Sequence, residues 1–217
     1  MGKLIVLEGT DGSGKTTQLG LLCDRLTQDG TPYRKLEYPC YGKPGGALVE
    51  YYLNGGLGSD PNAVNAYASS SFFACDRYID FHNNWKADYE SGGLFVSGRY
   101  TTSNAVHQAA KLTGQARTDY LNWLFHYEYD LMGLPKPDLV LFLDLPSDMT
   151  FQNIYTRQQD KGDIHELDHN YLRHCYENAV DVASRFGWTR IDCVKDGAIR
   201  SREEIHREIL SHVEKIL

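Results

Sequence analysis

The first residues with evident chemistry form a glycine-rich segment, GTDGSGKTTQ, from Gly9 to Gln18. Its pattern Gly-x-x-x-x-Gly-Lys-Thr is typical of a P-loop, in which backbone N–H groups surround a chain of phosphates. Lys15 would reach the outer phosphates, and the hydroxyl of Thr16 would bind Mg²⁺. The residues that we assign to a nucleoside triphosphate are Gly9, Thr10, Asp11, Gly12, Ser13, Gly14, Lys15, Thr16 and Thr17.

A P-loop does not by itself say what is done with the triphosphate. A GTPase would also carry an N-K-x-D motif to read its base, and the sequence has none. The segment DLMG, Asp130 to Gly133, imitates another GTPase element but falls in a helical pattern instead of at the end of a strand. We therefore set the GTPase interpretation aside. The simplest alternative is a glycine turn beside a surface lysine.

A second candidate is the pair Phe73 and Arg77, which lie four residues apart and would share one stripe of a helix. Phe73 could stack on a flat base while Arg77 binds an anion through its forked guanidinium. The same stripe also carries Ala66, Ser69, Ser70 and Asp80. We expect the core-facing set to be the more apolar one, Val64, Ala68, Cys75 and Ile79. Without other information, an aromatic packing cluster with a solvated arginine is the preferred interpretation.

These residues need a sheet to hold them, and the sequence alternates short apolar runs with longer helical patterns. The runs predict five strands of an open parallel sheet with helices on both faces, a three-layer α/β fold of the P-loop NTPase type. We place them at Lys3 to Glu8, Tyr33 to Tyr38, Leu94 to Ser97, Leu139 to Leu143 and Trp188 to Val194. Arg99 directly follows the third strand, at the carboxyl edge where such sheets bind ligands.

Three local signals refine this arrangement. Gly30 is a plausible carboxyl-terminal cap for the helix that follows the P-loop. Ser201 and Glu204 predict a capping box at the start of the last helix, whose inner face would carry Ile205, Ile209, Val213 and Ile216. The polar segment 158–168 is placed to act as a short closing lid.

Length and composition bound the remaining possibilities. The 217 residues fit a single domain, 1–217, and no apolar stretch is long enough to span a bilayer. Five cysteines without a C-x-x-C pair indicate reduced thiols and a cytoplasmic location. The net charge of −7 argues against a nucleic-acid partner, because such binding needs many lysines and arginines on one face.

Beyond the P-loop, the sequence resembles the thymidylate kinases, P-loop nucleoside monophosphate kinases that phosphorylate dTMP. Five segments match in the family's order, and together they cover most of the chain. They are EGTDGSGKTTQ, YPCYGKPGGALVEYYL, SSSFFACDRY, GRYTTSNAVHQ and LPKPDLVLFLDL. The resemblance implies transfer of a phosphoryl group from ATP, with Mg²⁺, to dTMP. It also implies a homodimer that has no membrane or nucleic-acid partner.

The resemblance also assigns roles to particular residues. Phe73 would contact thymine, and Arg77 would contact the base or its phosphate. Arg99 would bind the dTMP phosphate near the point of transfer, beside Tyr100, and Asp11 would accept a bond from the sugar 3′-hydroxyl. The remaining assignments are Ser103 and Gln108 near the pyrimidine, Arg157 beside adenine, and Lys161 near the transferred phosphoryl group. The catalytic set would be Lys15, Arg99 and Lys161.

Three departures from the family pattern leave other functions open. Gly98 stands where the family has the aspartate of a D-R-Y motif, and Tyr41 stands where many members have an arginine, with Lys43 a possible substitute. The segment DIHE in the lid replaces D-R-x-E. The alternatives are a deoxynucleoside kinase, for which Glu8 is a candidate base, and a catalytically weak nucleotide-binding regulatory protein.

Overall fold

A computed structural model describes residues 1–60, 62–151 and 169–217 and contains the predicted parallel sheet. The strands are β1 (Lys3–Glu8), β2 (Arg34–Leu36), β3 (Leu94–Ser97), β4 (Leu139–Asp144) and β5 (Thr189–Asp192). Their order in the sheet is β2-β3-β1-β4-β5, and every neighbouring pair is parallel. All five strands predicted from the sequence are thus confirmed, with the second and fifth shorter than expected.

The helices of the described residues connect these strands. They are α1 (Lys15–Gln28), α2 (Ala47–Leu53), α3 (Ala66–Asp80), α4 (Lys86–Glu90), α5 (Thr101–His107), α6 (Gly114–Phe125), α7 (His169–Arg185) and α8 (Arg202–Val213). Residues 147–151 are also helical. Short 3₁₀ turns occupy Pro44–Gly46 and Ala109–Lys111, and π-helical turns occupy Phe81–Trp85 and His126–Leu131.

The central strand β1 is apolar on both faces, and its two faces pack against different layers. Ile5 and Leu7 pack with residues of α1 and α8, whereas Leu4 and Val6 pack with the aromatic residues that follow α3. This arrangement follows from the period of two in a strand, which sends successive side chains to opposite faces. A strand buried on both sides must therefore be apolar at its interior positions, as Leu4 to Leu7 of β1 are.

The strand order decides where a ligand can bind. After β1 the chain enters α1, whose Leu22 packs on one face of the sheet with Leu141. After β3 it enters α5, whose Val106 packs on the other face with Phe142. Neighbouring parallel strands whose connections diverge in this way open a crevice at their carboxyl ends. The P-loop follows β1 and Arg99 follows β3, so both lie at that crevice.

The helix α3 contradicts the core face that we expect from its sequence. Its buried residues include Ser69, Ser70 and Arg77, which belong to the polar stripe, whereas Ile79 of the apolar stripe is exposed. Cys75 and Ala68 are only partly buried. The small and polar residues face inward because they pack against other polar groups, and a periodicity argument that counts only apolar residues cannot detect such a face.

The two predicted helix ends are confirmed. Gly30 follows the end of α1 with a φ of 68°, a left-handed conformation that suits glycine. Ser201 caps α8, and its side chain and that of Glu204 each bond the other's backbone N–H. Beyond β5, a two-stranded hairpin joins Val194–Lys195 to Ala198–Ile199 through Asp196 and Gly197, a turn that the sequence analysis did not predict.

One further sequence prediction can be compared with the described residues, and another cannot. No helix in the described ranges is both long and apolar enough to cross a lipid bilayer. The predicted lid at 158–168 lies outside the described residues.

Candidate active site

The P-loop has the backbone geometry that its glycines predict. Gly14 stands just before α1 with a φ of 96°, in the left-handed region. A side chain at Gly9 would lie 2.6 Å from Oγ of Ser13 and 3.0 Å from the backbone oxygen of Leu143. Only glycine avoids both conflicts, since a Cβ there would meet backbone as well as side chain. The loop therefore closes tightly over the end of β1 and leads directly into the amino terminus of α1, where anions are favoured.

Lys15 is buried within this loop, with 7% of its surface exposed. Its Nζ donates to the backbone oxygens of Gly9 at 2.6 Å and Thr10 at 2.9 Å, and lies 3.6 Å from Asp11. Burial, followed by repulsion from Arg99, lowers the pKa of Lys15 below its ordinary value. The loop thus holds a desolvated cation against its own backbone, beside the position where phosphates would bind.

Arg99 joins the P-loop to the end of β3. Its Nη2 donates to Oδ1 of Asp11, and its Nη1 lies 3.5 Å from Nε2 of His107. Burial by itself would raise the pKa of Asp11, but the charges of Arg99 and Lys15 lower it below the ordinary value. Asp11 therefore stays ionised and binds two cations at once, which fixes Arg99 at the boundary between two cavities.

Two cavities meet at this boundary. The outer cavity includes five predicted triphosphate residues, Asp11, Gly12, Gly14, Lys15 and Thr16. The inner cavity includes every residue predicted to bind the acceptor: Asp11, Phe73, Arg77, Arg99, Tyr100, Ser103 and Gln108. Both cavities share Asp11, Tyr38, Pro39, Tyr41 and Arg99. The side chains that sequence reasoning grouped by pattern thus come together in space, although they are spread over almost a hundred positions.

The inner cavity has an aromatic wall. Phe73 is partly buried and meets the ring of Tyr52 edge to face at 6.2 Å, so it belongs to a packing cluster as well as to the cavity. Tyr100 is fully buried, and its hydroxyl has no hydrogen-bond partner among the described residues. A buried hydroxyl without a partner is rare in folded proteins, so a polar group of a ligand is a natural partner for it.

Arg77 lies in the wall of the inner cavity, and its burial and ion pairing differ from the solvated state that the sequence by itself predicts. It is 2% exposed, and its Nε and Nη2 donate to the two carboxylate oxygens of Glu128 at 2.7 and 2.6 Å. Burial alone would lower the pKa of Arg77, but the neighbouring Glu128 raises it. The expected solvated arginine is therefore wrong, and the guanidinium is a buried, neutralised group at the cavity wall.

The amide of Gln108 and the hydroxyl of Ser103, both in the inner cavity, are also oriented by neighbouring side chains. Ser69 donates to Oε1 of Gln108 at 2.7 Å. Because this bond occupies the amide oxygen, the amide nitrogen of Gln108 is the group that can donate to a ligand. Ser103 donates to Oε2 of Glu8 at 2.8 Å, as does Thr102 at 2.7 Å. The contacts of Ser69 and Glu8 therefore fix Gln108 and the amino-terminal part of α5 in place.

The outer cavity fits a magnesium ion that arrives with a triphosphate. Thr16 is exposed in this cavity, and its hydroxyl can therefore reach an ion there. Within those residues, no group of three or more His, Cys, Asp or Glu side chains could hold a metal ion by itself. Magnesium usually keeps several waters and uses phosphates and few protein ligands, so a hydroxyl in a phosphate loop suits it.

Two predicted site residues cannot be placed in this geometry. Arg157 and Lys161 lie outside the described residues, and their roles stay predictions. Four of the nine residues assigned to the triphosphate, Gly9, Thr10, Ser13 and Thr17, line neither of the two cavities, and Thr17 is only partly buried in the first turn of α1.

The fold and the paired cavities can be compared with known proteins. The sequence model of the thymidylate kinase family matches residues 7–209. The chain belongs to this family. It is 31% identical over 219 residues to a probable thymidylate kinase of Thermococcus gammatolerans, covering 99% of this chain and 97% of the relative. A thymidylate kinase of Mycobacterium tuberculosis is 29% identical over 185 residues, or 85% of this chain and 82% of that protein.

The fold is similar as well. The solved structure of the thymidylate kinase of Candida albicans superposes with a TM-score of 0.71 at 19% sequence identity. The match covers 99% of this chain and 92% of that structure. This comparison confirms the predicted three-layer α/β fold of the P-loop type around a five-stranded parallel sheet.

One departure from the pattern of the thymidylate kinase family is Gly98, which stands where the family has an aspartate. Gly98 lines the outer cavity, and a Cβ there would meet only the side chain of Leu19 at 3.2 Å. The register of β2 and β3, which pairs Leu36 with Ser97, brings Glu37 alongside Gly98, and Glu37 lines the same cavity. A carboxylate thus stands next to the glycine, just past the end of the neighbouring strand β2.

Sequence reasoning missed several members of the site. Tyr38, Asn104 and His107 line the inner cavity, and Glu128 binds Arg77 from behind it. Asn104 and His107 lie between Ser103 and Gln108, so the spacing of a helix could have added them. The sequence signal for Glu128 is its position within the aromatic run FHYEYD. An acid buried among aromatic residues needs a partner.

Proposed function

We propose that this thymidylate kinase family member transfers a phosphoryl group from ATP to dTMP, producing dTDP and ADP. The observation that carries the proposal is the Asp11–Arg99 pair, which lies between the P-loop cavity and the inner cavity and lines both. Donor and acceptor phosphates would meet there. The names of the relatives support the choice of acceptor.

Phosphoryl transfer depends mainly on alignment and on neutralisation of charge on the moving group. Lys15 would leave the backbone oxygens of Gly9 and Thr10 for the outer phosphates of ATP, and Arg99 would bind the acceptor phosphate from the opposite side. Asp11 keeps Arg99 aimed at the junction of the cavities. The P-loop amides and the amino terminus of α1 would stabilise the donor phosphates without moving.

We assign Thr16 as the protein ligand of Mg²⁺, which would neutralise charge on the phosphates of ATP. Glu37, exposed in the outer cavity next to Gly98, is the carboxylate that we assign to the water shell of the metal. The carboxylate of Glu37 pairs with Lys35, and Asp11 is already bound by Arg99 and Lys15. Glu37 is therefore the more available of the two acids that line this cavity.

The surroundings of Glu8 argue against the rival deoxynucleoside kinase. That reaction needs a carboxylate base beside a 5′-hydroxyl. Glu8 is fully buried and accepts bonds from Thr102, Ser103 and the backbone of Gly9, and it lines neither cavity. A phosphate acceptor is already an anion and needs no strong base. The geometry therefore supports a monophosphate acceptor over a nucleoside.

An acceptor panel tests this function. Purified protein is incubated with ATP and Mg²⁺ together with dTMP, dUMP, dCMP, dGMP or thymidine, and ADP formation is measured. We expect dTMP to give the highest kcat/KM and thymidine to give little turnover. Turnover of another monophosphate without turnover of dTMP would refute the acceptor, and faster turnover of thymidine would favour the deoxynucleoside kinase.

The same protein can be examined for a purely regulatory role. Calorimetric titration with ATP and with dTMP, in buffers with Mg²⁺ or Mn²⁺, measures binding independently of turnover. Tight binding of both nucleotides with no product under either metal would select the regulatory interpretation. We expect turnover, because the residues predicted to bind both phosphates converge on one junction.

We also propose that the protein forms a homodimer through an exposed face of α2. In α6, Leu121 and Leu124 lie in the core of this chain, and Phe125 is partly buried and packs against the same core. Leu48 and Tyr51 share an exposed face of α2. Sedimentation of the wild type and of Leu48→Glu tests this, and a monomeric wild type would contradict it. The cytoplasmic location and the absence of a nucleic-acid partner stay predictions.

A further inference from the structure

Glu128 is a fully buried carboxylate on which four side-chain bonds converge. Arg77 donates to it through Nε at 2.7 Å and Nη2 at 2.6 Å. Thr101 donates through Oγ1 at 2.7 Å, and Asn104 through Nδ2 at 3.3 Å. A buried charge with this many donors is strongly held, and so are the groups that bind it.

Glu128 links three elements that meet behind the inner cavity. It lies in the π-helical turn His126–Leu131, while Arg77 belongs to α3 and Thr101 and Asn104 belong to α5. Glu128 itself does not line the cavity, but Arg77 and Asn104 do. Its influence on a ligand must therefore pass through those two side chains.

The pair also fixes what Arg77 can offer to a ligand. Two of the three guanidinium nitrogens are turned toward Glu128, and Nη1 has no hydrogen-bond partner among the described residues. The positive charge is balanced by a carboxylate in contact with it. Arg99 differs, because it is 34% exposed and lies at the junction of the two cavities. A neutralised arginine suits a neutral carbonyl oxygen, and a more exposed arginine at the junction suits a phosphate.

We infer that Glu128 is a positioning residue of the acceptor site, which aims Nη1 of Arg77 at a carbonyl oxygen of the base and leaves the phosphate to Arg99. The inference rests on the proposed function and adds a residue that does not touch the substrate. Thymine and uracil offer carbonyl oxygens on both sides of N3, whereas cytosine places an amino group at one of them. A hydrogen-bond donor fixed in place, such as Nη1 of Arg77, therefore favours thymine and uracil over cytosine.

The test compares a nucleotide with its nucleoside. Calorimetry measures the affinities of dTMP and thymidine for the wild type and for Glu128→Gln. The amide introduced by this substitution would turn an N–H group toward Arg77, itself a donor, and displace its guanidinium. We expect both ligands to weaken by the same factor, about 10- to 100-fold for a lost charged hydrogen bond, while ATP affinity is unchanged. A loss for dTMP alone would make Arg77 a phosphate ligand and overturn the inference.

Asp130→Asn is the matched control. Asp130 lies on the same π-helical turn but is exposed and pairs with His126 and Lys136. We expect its affinities for dTMP and thymidine to stay within about twofold of the wild type, since exposed ion pairs contribute little. An equal loss in Asp130→Asn would show that any change of charge in this turn perturbs the site, and would overturn a specific role for Glu128.

A double variant keeps the test valid if Glu128→Gln does not fold. Arg77→Gln with Glu128→Gln removes both charges and leaves no unpaired ion in the interior. Because Glu128 acts through Arg77, the double variant should bind thymidine as Arg77→Gln does, with no further loss. A further loss of more than about fivefold, or an affinity equal to that of the wild type, would overturn the inference.

The wild-type control separates this inference from the proposed function. If the wild type phosphorylates a different monophosphate, the assignment of dTMP fails. The comparison is then repeated with that nucleotide and its nucleoside, and equal losses for the two still support Glu128 as a positioning residue. If the wild type phosphorylates dTMP and Glu128→Gln binds both ligands normally, the proposed function stands and the inference fails.

Discussion

The P-loop and the inner cavity lie on either side of Arg99 but are built in different ways. The P-loop comes from one continuous segment, Gly9 to Thr17, and most of its predicted contacts are backbone N–H groups. The inner cavity is assembled from side chains that range from Asp11 to Gln108, held from behind by Glu128. The first can be formed from local sequence, whereas the second exists only when distant elements pack together.

This difference has a consequence for substitutions. A change in the P-loop outside Asp11, which lines both cavities, should alter the rate of transfer and leave the acceptor site intact. A change in the inner cavity should alter binding and stability together, because Arg77 and Glu128 form a buried ion pair as well as a wall. Three predictions test whether the two regions separate in this way, and a fourth concerns a buried lysine close in sequence to Gln108.

The largest expected effect belongs to Lys15→Met. The variant removes the cation that would stabilise the outer phosphates, and we expect kcat to fall about 1,000-fold. Affinity for dTMP should change less than about threefold, because the inner cavity does not include Lys15. Lys86→Met, at an exposed lysine that pairs with Glu90 and lines neither cavity, is the control and should have little effect. A loss of dTMP affinity in Lys15→Met equal to the loss in rate would break the comparison.

Arg99→Lys should have the next largest effect. Lysine retains the charge but cannot bind Asp11 and a phosphate at once through a planar fork, so we expect kcat/KM for dTMP to fall about 100-fold. The control is Arg34→Lys, which changes an exposed arginine of β2 that bonds Asn84 and Asp88. Steady-state kinetics with varied dTMP measures both. Near-normal kcat/KM in Arg99→Lys would mean that a point charge is sufficient at the junction.

Arg77→Ala should weaken dTMP binding about 10-fold or more and leave ATP binding nearly intact. It should also lower thermal stability, since the buried carboxylate of Glu128 loses its partner, a change that costs about 3–5 kcal/mol in comparable buried pairs. Calorimetry and thermal unfolding measure the two effects. Equal loss of both nucleotides in the folded variant would instead indicate that Arg77 has a role in folding only.

The smallest effect concerns Lys111, in the turn that follows Gln108. Burial lowers the pKa of Lys111 to about 8, although its Nζ bonds the hydroxyl of Tyr52 and the backbone oxygen of Val64. Between about pH 8 and the ordinary lysine pKa of about 10.4, the unfolded chain binds more protons than the folded one, so folding stability from this group rises with pH.

We therefore expect the wild type to gain stability relative to Lys111→Met as pH rises from 8 to 10. Thermal unfolding across this range should show the difference in Tm changing by about 2–4 °C. Lys86→Met, at an exposed lysine paired with Glu90, should run parallel to the wild type. Parallel curves for Lys111→Met as well would show that Lys111 keeps an ordinary pKa.

The parts of the protein predicted from sequence are those with strong local or periodic signals. The strand β1 was predicted with both ends correct, because a fully buried parallel strand is apolar at every interior position. The P-loop and the capping box of α8 were predicted because each needs particular residues at fixed spacing. The resemblance to the thymidylate kinases then selected the acceptor residues, and all seven line one cavity.

The inward face of α3 could not be predicted in the same way. Ser70 is buried because its hydroxyl bonds that of Tyr120, and Ser69 is buried because it bonds Gln108. These partners are 50 and 39 positions distant, so nothing in the local pattern marks the two serines as interior residues. The burial of Arg77 has the same origin, because Glu128 reaches it from 51 positions away.

The order of residues alone determined the strands, the loop for the triphosphate and the position of Arg99 directly after β3, since each depends on neighbours within a few positions. Only the folded chain decided which arginine is neutralised and which stays at the junction of the cavities. The physical reason is that the charge state and aim of a guanidinium depend on the carboxylate it meets. Asp11 meets Arg99 across 88 positions, and Glu128 meets Arg77 across 51.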